Sequence, residues 1–460
     1  MHKIINRLWV LLALGAFSLS AAEFTLPAYK KMVLDNGLTL YLMEQKEVPL
    51  IDAIITVKAG AVQDNKAGQA EMTANALLLG SGELDRAAFE RELDFIGANI
   101  NAGGGMEASQ LYASFASKDQ DKVLKMLADA LLRPAFNEQE VKAYQQRHLA
   151  ALQQAQESPK AVVGDYFNAL LFGQHPYASV QNGSIASVKA MQLADIKDFY
   201  SKWYQPDNAA ISIVGDFDTA SMVKKIKALF GQWQGKGAGF ALPVAEVNPQ
   251  KARVLLVDKP DARESTYIIG GPGIARSNPD YVALQVINTI LGGRFTSWLN
   301  DELRVNTGLT YGARSSFRPY QKGGSFSIYT FTKTETTKEA IDLTLKTYDR
   351  LWEKGIDQAT LDSAKAYVKG QFPPKYETSG ELADLLSGMY IYGYDEAFIN
   401  EFSDNVNALN LDKAGALIEQ YFPQDHLQMV VIGNAEALRP VVSEYGELME
   451  TRIDTEQIDL

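Results

Sequence analysis

Apolar and polar residues alternate loosely over positions 32–41, on either side of Asp35-Asn36-Gly37. Asn and Gly accept the positive φ of a tight turn, so this pattern predicts a two-strand hairpin. Residues 51–59 are rich in β-branched side chains and run into Gly60, which predicts a strand; residues 69–79, rich in Ala, Leu and Met, predict a helix. A second helix is predicted over 122–132, where Val123, Met126, Leu127, Ala130 and Leu131 share one face before Pro134 ends it. That stripe reads as core.

Further along, residues 231–248 contain Gly235, Gly237, Gly239 and Pro243 with Pro249 beside them, a linker composition near the middle of the chain. An internal echo supports a boundary there. Phe199-Tyr200 leads through Pro206 to the apolar run Ala209 to Gly215-Asp216, and Tyr421-Phe422-Pro423 leads to Leu427 through Gly433-Asn434. Each is an aromatic helix end and a proline followed by a strand that stops at Gly and a short polar residue. The simplest account is two copies of one α+β domain, 23–234 and 250–460, joined by 235–249. Alternation of strands with long helices also suits a parallel doubly wound sheet, but the hairpin favours antiparallel pairing.

With 460 residues, 46% of them hydrophobic, the chain can bury full cores. Its net charge of −12 repels nucleic acid and anionic lipid, and favours basic peptides as ligands if any bind. There are no cysteines, which removes disulfides, thiolate metal sites and thiol nucleophiles. Residues 1–22 read as a secretory signal: Lys3 and Arg7 precede an apolar run too short to span a bilayer, and Ser18, Ser20, Ala21 and Ala22 supply the small-residue exit. The expectation is an exported, soluble, periplasmic protein with no later membrane span.

Candidate chemistry is sparse. Beyond the leader the histidines are His148, His175 and His426, none within helical reach of another, and each reads best as a loop-ordering side chain. Ser221 and Lys224 have S-x-x-K spacing, but on a stretch that reads as a surface helix. Gly103-Gly104-Gly105 lacks a following Lys-Ser/Thr and reads as a flexible turn.

The run Ala59-Gly60-Ala61-Val62-Gln63-Asp64, continuing through Gly68-Gln69-Ala70-Glu71-Met72-Thr73-Ala74-Asn75-Ala76 to Gly80-Ser81, resembles the segment of the insulinase, pitrilysin and mitochondrial processing peptidases that holds the inverted zinc motif H-x-x-E-H. On that frame Glu71 takes the place of the first zinc histidine, Ala74 that of the general-base glutamate and Asn75 that of the second histidine. The stretch from His148 to Leu152 resembles the helix that carries the third ligand, with alanines at the matching positions. Zinc needs about three protein ligands and an open position, so the resemblance implies no cofactor in this chain. His175-Pro176-Tyr177 is similar to a loop that is structural in the family.

In the second half, Leu291-Gly292-Gly293-Arg294-Phe295 through Glu302-Leu303-Arg304 to Thr310-Tyr311-Gly312 is similar to the family segment whose Arg and Tyr reach the substrate at a partner's zinc. The carry-over gives Arg304 and Tyr311, with a helix expected over 295–305, Gly308 as its C-cap and a strand from 309. The alternative from local sequence alone pairs Arg304 with Asp301 and makes Tyr311 a half-buried strand aromatic. The family's fold implies two tandem homologous domains, each an antiparallel sheet with helices on one face, together forming half of a clamshell. The pattern of loss and retention implies a non-catalytic subunit of a heteromeric zinc peptidase. Zinc then lies in a related partner with an intact H-x-x-E-H motif, and the substrates are unfolded peptides. Two other readings stand beside it: a non-proteolytic binding or structural protein, and a lone metallopeptidase with an unorthodox site at Glu71.

Overall fold

A computed structural model of the chain describes residues 24–458 and 460, so the segment read as a signal lies outside the described residues. The first sheet is built from β1 (Lys30–Val33), β2 (Thr39–Glu44), β3 (Leu50–Val57), β4 (Asn99–Gly104), β5 (Ser109–Ala116) and β6 (Ala209–Gly215), in the order β1-β2-β6-β3-β5-β4. The second contains β7 (Arg253–Asp258), β8 (Glu264–Pro272), β9 (Arg314–Tyr320), β10 (Gly323–Lys333), β11 (Gln428–Gly433) and β12 (Glu447–Arg452), in the order β12-β7-β11-β8-β10-β9. The echo in the sequence falls on equivalent elements, the helices Leu193–Trp203 and Leu411–Tyr421 with the strands β6 and β11 that follow them.

The sheets are mixed, where purely antiparallel ones were expected. β6 runs antiparallel to β3 but parallel to β2, and β11 runs antiparallel to β8 but parallel to β7. Each of these strands returns from a long helical excursion, and a connection of that length lets a strand enter parallel to its neighbour. The two domains differ at one edge. β1 joins β2 through the hairpin, where Gly37 has φ +93°, whereas the matching edge of the second sheet is filled by β12, parallel to β7.

Every residue of β6 and of β11 is buried. Burial on both faces explains why these strands read as unbroken apolar runs and not as alternating ones. One face of the first sheet carries its own helices, with Val123, Leu127, Ile196 and Ile226 packed on Leu40, Ile55 and Ile213. The other face is covered by a helix of the second domain: Ser379–Tyr392 lies on β3 and β6, and its Leu385, Leu386 and Met389 join Met43, Ile54 and Val214 in one cluster. Reciprocally, the first-domain helix Pro159–Phe172 lies on β8 and β11, with Val163 and Phe167 against Leu255, Val430 and Ile432.

Buried polar clips reinforce this exchange. Asp52 of β3 accepts hydrogen bonds from the hydroxyls of Tyr112 and Ser379. On the other side, the Tyr177 hydroxyl donates to Glu107 at 2.6 Å and accepts from the backbone N–H of Lys322 at 3.0 Å, while Glu107 also accepts from the N–H of Gln321 at 2.9 Å. The Tyr177 ring stacks on Tyr320 with centroids 4.3 Å apart. The His-Pro-Tyr loop is therefore an interdomain clip. Between Phe230 and Arg253 there is no helix or strand, yet this connection is tied to both domains: Gly237 N–H donates to Asp207, and Ala245 N–H donates to the Lys322 carbonyl at 2.8 Å.

Candidate functional site

The helix carrying the degenerate motif spans Gln69–Ala76. Gly68, at φ +86°, turns the chain into it, and the Asp64 carboxylate accepts from the N–H groups of Gly68, Gln69 and Ala70 at 2.8, 3.1 and 2.8 Å. Those donors would otherwise be orphaned at a helix start. Gly103 and Gly104 close strand β4 and do not form the flexible turn expected of them. A Cβ on Gly104 would stand 2.4 Å from the Glu71 backbone nitrogen, so only glycine permits this approach of strand to helix.

At that contact Glu71 acts as a strut. One carboxylate oxygen accepts from Gly104 N–H at 2.7 Å and the other from the Asn75 amide at 2.8 Å, while the same amide also donates to the Glu71 carbonyl at 3.0 Å. The Tyr144 phenol, from the helix Glu138–Gln156, lies against the same carboxylate; burial, and then the Glu71 charge, push its pKa above the usual range. Ala74 is fully buried and offers only a methyl group. On the third-ligand helix, Ala150 and Ala151 face solvent, and His148 bonds the Asn182 carbonyl at 2.7 Å while stacking on Tyr144.

This donor set does not fit zinc. It holds no imidazole, its one carboxylate is already engaged by neutral donors, and the position of the general base is aliphatic. Among the described residues no three His, Cys, Asp or Glu side chains converge as a ligand group.

Arg304 and Tyr311 do come together. The guanidinium carbon of Arg304 lies 4.5 Å from the Tyr311 ring centroid and 4.9 Å from that of Phe295. Among the described residues no ion pair or hydrogen bond engages this guanidinium, Asp301 included, and Tyr311 is 75% exposed, so neither side chain follows the purely local expectation. The backbone differs from the expected helix and strand. Residues Trp298–Asn300 form one short helical turn, Asp301–Asn306 continue as a wider π turn, and β9 begins only at Arg314. Gly308 ends the turn at φ +68°, with its N–H on the Arg304 carbonyl at 3.1 Å, as its C-cap role requires.

Tyr311 sits in the irregular segment that follows. The Asn300 side chain donates to the Phe295 carbonyl at 2.6 Å, and the Thr310 hydroxyl accepts from Gly312 N–H at 3.2 Å. Such local bonds compete with a strand ladder, and π turns are frequent at functional sites. The two side chains edge a cleft of about 450 Å³ between the domains, to which the first domain contributes Lys160. Glu71 and its partners do not line it. Sequence reasoning missed Lys160, Arg294, Phe295 and Arg314 as cleft residues. Arg294 and Phe295 are neighbours in the segment before Arg304, and Arg314 opens β9, while Lys160 comes from the other domain; no spacing rule marks the four as one wall.

Two tandem α+β domains share a strand order except at one edge, and no group of metal ligands converges among their described residues. A model described as insulinase (peptidase family M16) matches residues 42–181, and one described as peptidase M16 inactive domain matches residues 190–368. The chain belongs to peptidase family M16.

Relatives include an uncharacterized zinc protease, YmxG, of Bacillus subtilis, 22% identical over 86% of this chain and 96% of that one. Another is a non-peptidase homolog of Helicobacter pylori, 24% identical over 82% and 87% respectively. Among solved structures, a peptidase M16 inactive domain from Pseudomonas fluorescens superposes with a TM-score of 0.83 at 24% identity, covering 88% of this chain and 98% of that one. A chain of complex III2 from Candida albicans superposes with a TM-score of 0.77 at 17% identity, covering 92% and 100%. These likenesses to solved structures concern the fold alone.

Proposed function

We propose that this chain is the non-catalytic subunit of an exported, heteromeric zinc peptidase, periplasmic in location, closing a clamshell with a related subunit that carries an intact H-x-x-E-H motif. The observation that carries the reading is the pairing of an unneutralised Arg304 with an exposed Tyr311 in an interdomain cleft, in a chain whose own motif positions are filled by a strut. Unfolded peptide enters between the halves. The Arg304 guanidinium and the Tyr311 hydroxyl donate to a substrate carbonyl oxygen as negative charge develops on it, a role for which preorganised donors are suited once the partner closes over the cleft and excludes water. Zinc and the general base belong to the partner, and this chain contributes binding and charge stabilisation.

The test is zinc content and peptide hydrolysis by the purified chain, alone and mixed with a co-purifying relative that carries the motif. The lone chain is expected to be inert and to raise the relative's turnover; Arg304→Ala with Tyr311→Phe lowers that stimulated turnover roughly 100-fold or more. Stoichiometric zinc and hydrolysis by the lone chain would overturn the reading. Failure of every motif-bearing relative to respond would point instead to a non-proteolytic binding role.

A further inference from the structure

The cleft edged by Arg304 and Tyr311 has a charge opposite to that of the chain. Lys160, Arg294, Arg304 and Arg314 all line it, and no Asp or Glu does, in a protein whose net charge is −12. None of the four cations forms a salt bridge among the described residues, although eighteen such pairs occur elsewhere. Arg304 rests between two aromatic rings, Arg314 lies 5.0 Å from the Tyr329 centroid, and Arg294 bonds only the Ser363 hydroxyl, leaving its buried Nε without a partner. Aromatic faces hold guanidinium groups in place without neutralising them. Four such charges on two domains, in a space large enough for a few residues of extended peptide, make a locally positive wall that attracts an anionic ligand.

We propose that this cleft selects peptides bearing carboxylate groups, whether acidic side chains or the peptide's own C-terminus. The expectation that an acidic protein favours basic peptides holds for the surface as a whole and is reversed at this wall, since local charge governs a bound segment. A long polyanion is opposed by the rest of the surface, which favours a short segment with one or two carboxylates. This inference rests on the reading above for why a peptide lies there, and on the four cations for which peptide it is.

Peptides of one length carrying a neutral dye test it by anisotropy with the full chain: an acidic amidated peptide, a neutral amidated one, a neutral one with a free C-terminus, and a basic amidated one. Either the acidic or the free-C-terminus peptide is expected to bind about tenfold tighter than the neutral amidated peptide at low salt, and the stronger of the two identifies the source of the carboxylate. The advantage shrinks at high salt. It disappears in a Lys160→Gln, Arg294→Gln, Arg314→Gln variant that keeps Arg304 and Tyr311; should that variant fold poorly, Arg314→Glu alone, at an exposed position, is expected to halve the advantage or more. Equal binding of all four peptides, preference for the basic one, or equally tight binding of a single-stranded oligonucleotide overturns the inference. The two readings fail separately. Partner-stimulated hydrolysis without charge preference removes only the ligand class; charge preference without any stimulation removes only the subunit role.

Discussion

Replacing Glu71 by alanine discriminates between a strut and a metal ligand, and its cost can be worked from the contacts. The carboxylate accepts from Gly104 N–H at 2.7 Å and from the Asn75 amide at 2.8 Å. Hydrogen bonds to a charged group contribute about 1.5–3 kcal/mol each, and a buried N–H left without an acceptor costs a further 1–3 kcal/mol or so. Glu71 is only partly buried and water can reach the vacated groups, so the lower end applies to each of the two bonds and no orphan penalty is added, for a loss of about 3 kcal/mol. Glu71→Gln keeps an acceptor for Gly104 but brings an amide against the Asn75 amide, for a loss of about 1 kcal/mol. Urea unfolding followed by fluorescence and far-UV circular dichroism reads both, using the earliest transition because two domains need not unfold together. Zinc content is measured on the same samples. A Glu71→Ala loss below about 0.5 kcal/mol would refute the strut, as would zinc bound by the parent and released by the variant.

The same contact predicts that Gly104→Ala destabilises by about 1–3 kcal/mol, since its Cβ would press on the Glu71 backbone at 2.4 Å; thermal melting checks it against Gly164→Ala in the helix Pro159–Phe172, where a Cβ meets nothing and the change is expected to be neutral or stabilising. Tyr177→Phe deprives Glu107 of a donor and the Lys322 N–H of an acceptor at the domain junction, for an expected loss of about 2–4 kcal/mol seen in urea unfolding. Burial pushes the Asp165 carboxyl up to about 6, against the opposing pull of Arg318. The folded state then holds its proton more tightly than the unfolded chain, whose carboxyl titrates near 3.9, so this group's contribution to stability falls as pH rises between roughly 4 and 6 and stays low above that window. Asp165→Asn is accordingly expected to gain about 1–2 kcal/mol over the parent at pH 7.5 and little at pH 4, measured by denaturant titration across that range.

How far the sequence discloses this molecule depends on the distance over which each feature is encoded. The hairpin at Asn36-Gly37, the helices over 69–76 and 120–132, and the paired closing strands β6 and β11 follow from turn chemistry and periodicity within a dozen residues, and they are where those rules put them. The mixed sheets were not legible, because parallel or antiparallel entry of β6 is decided by a helical excursion of nearly a hundred residues and not by the strand's own side chains. Nor was the exchange of helices: Ser379–Tyr392 shows an apolar face, but nothing local says that the face meets β3 of the other domain.

The two candidate sites divide in the same way, and the division bears on function. Glu71, Ala74 and Asn75 sit on one turn of helix, so their resemblance to a motif could be read directly, whereas the strut that Glu71 forms depends on Gly104, thirty-three residues away in sequence. Arg304 and Tyr311 were legible as a pair and Arg294 and Arg314 lie close to them in sequence, but Lys160, from the other domain, is brought to the cleft only by the fold. Unpaired cations on an interdomain wall repel one another, and Arg304 and Arg314 are held there by aromatic rings that do not neutralise them. An engaged Glu71 beside four unneutralised cations favours the proposed binding of an anionic ligand over metal chemistry on this chain's own residues.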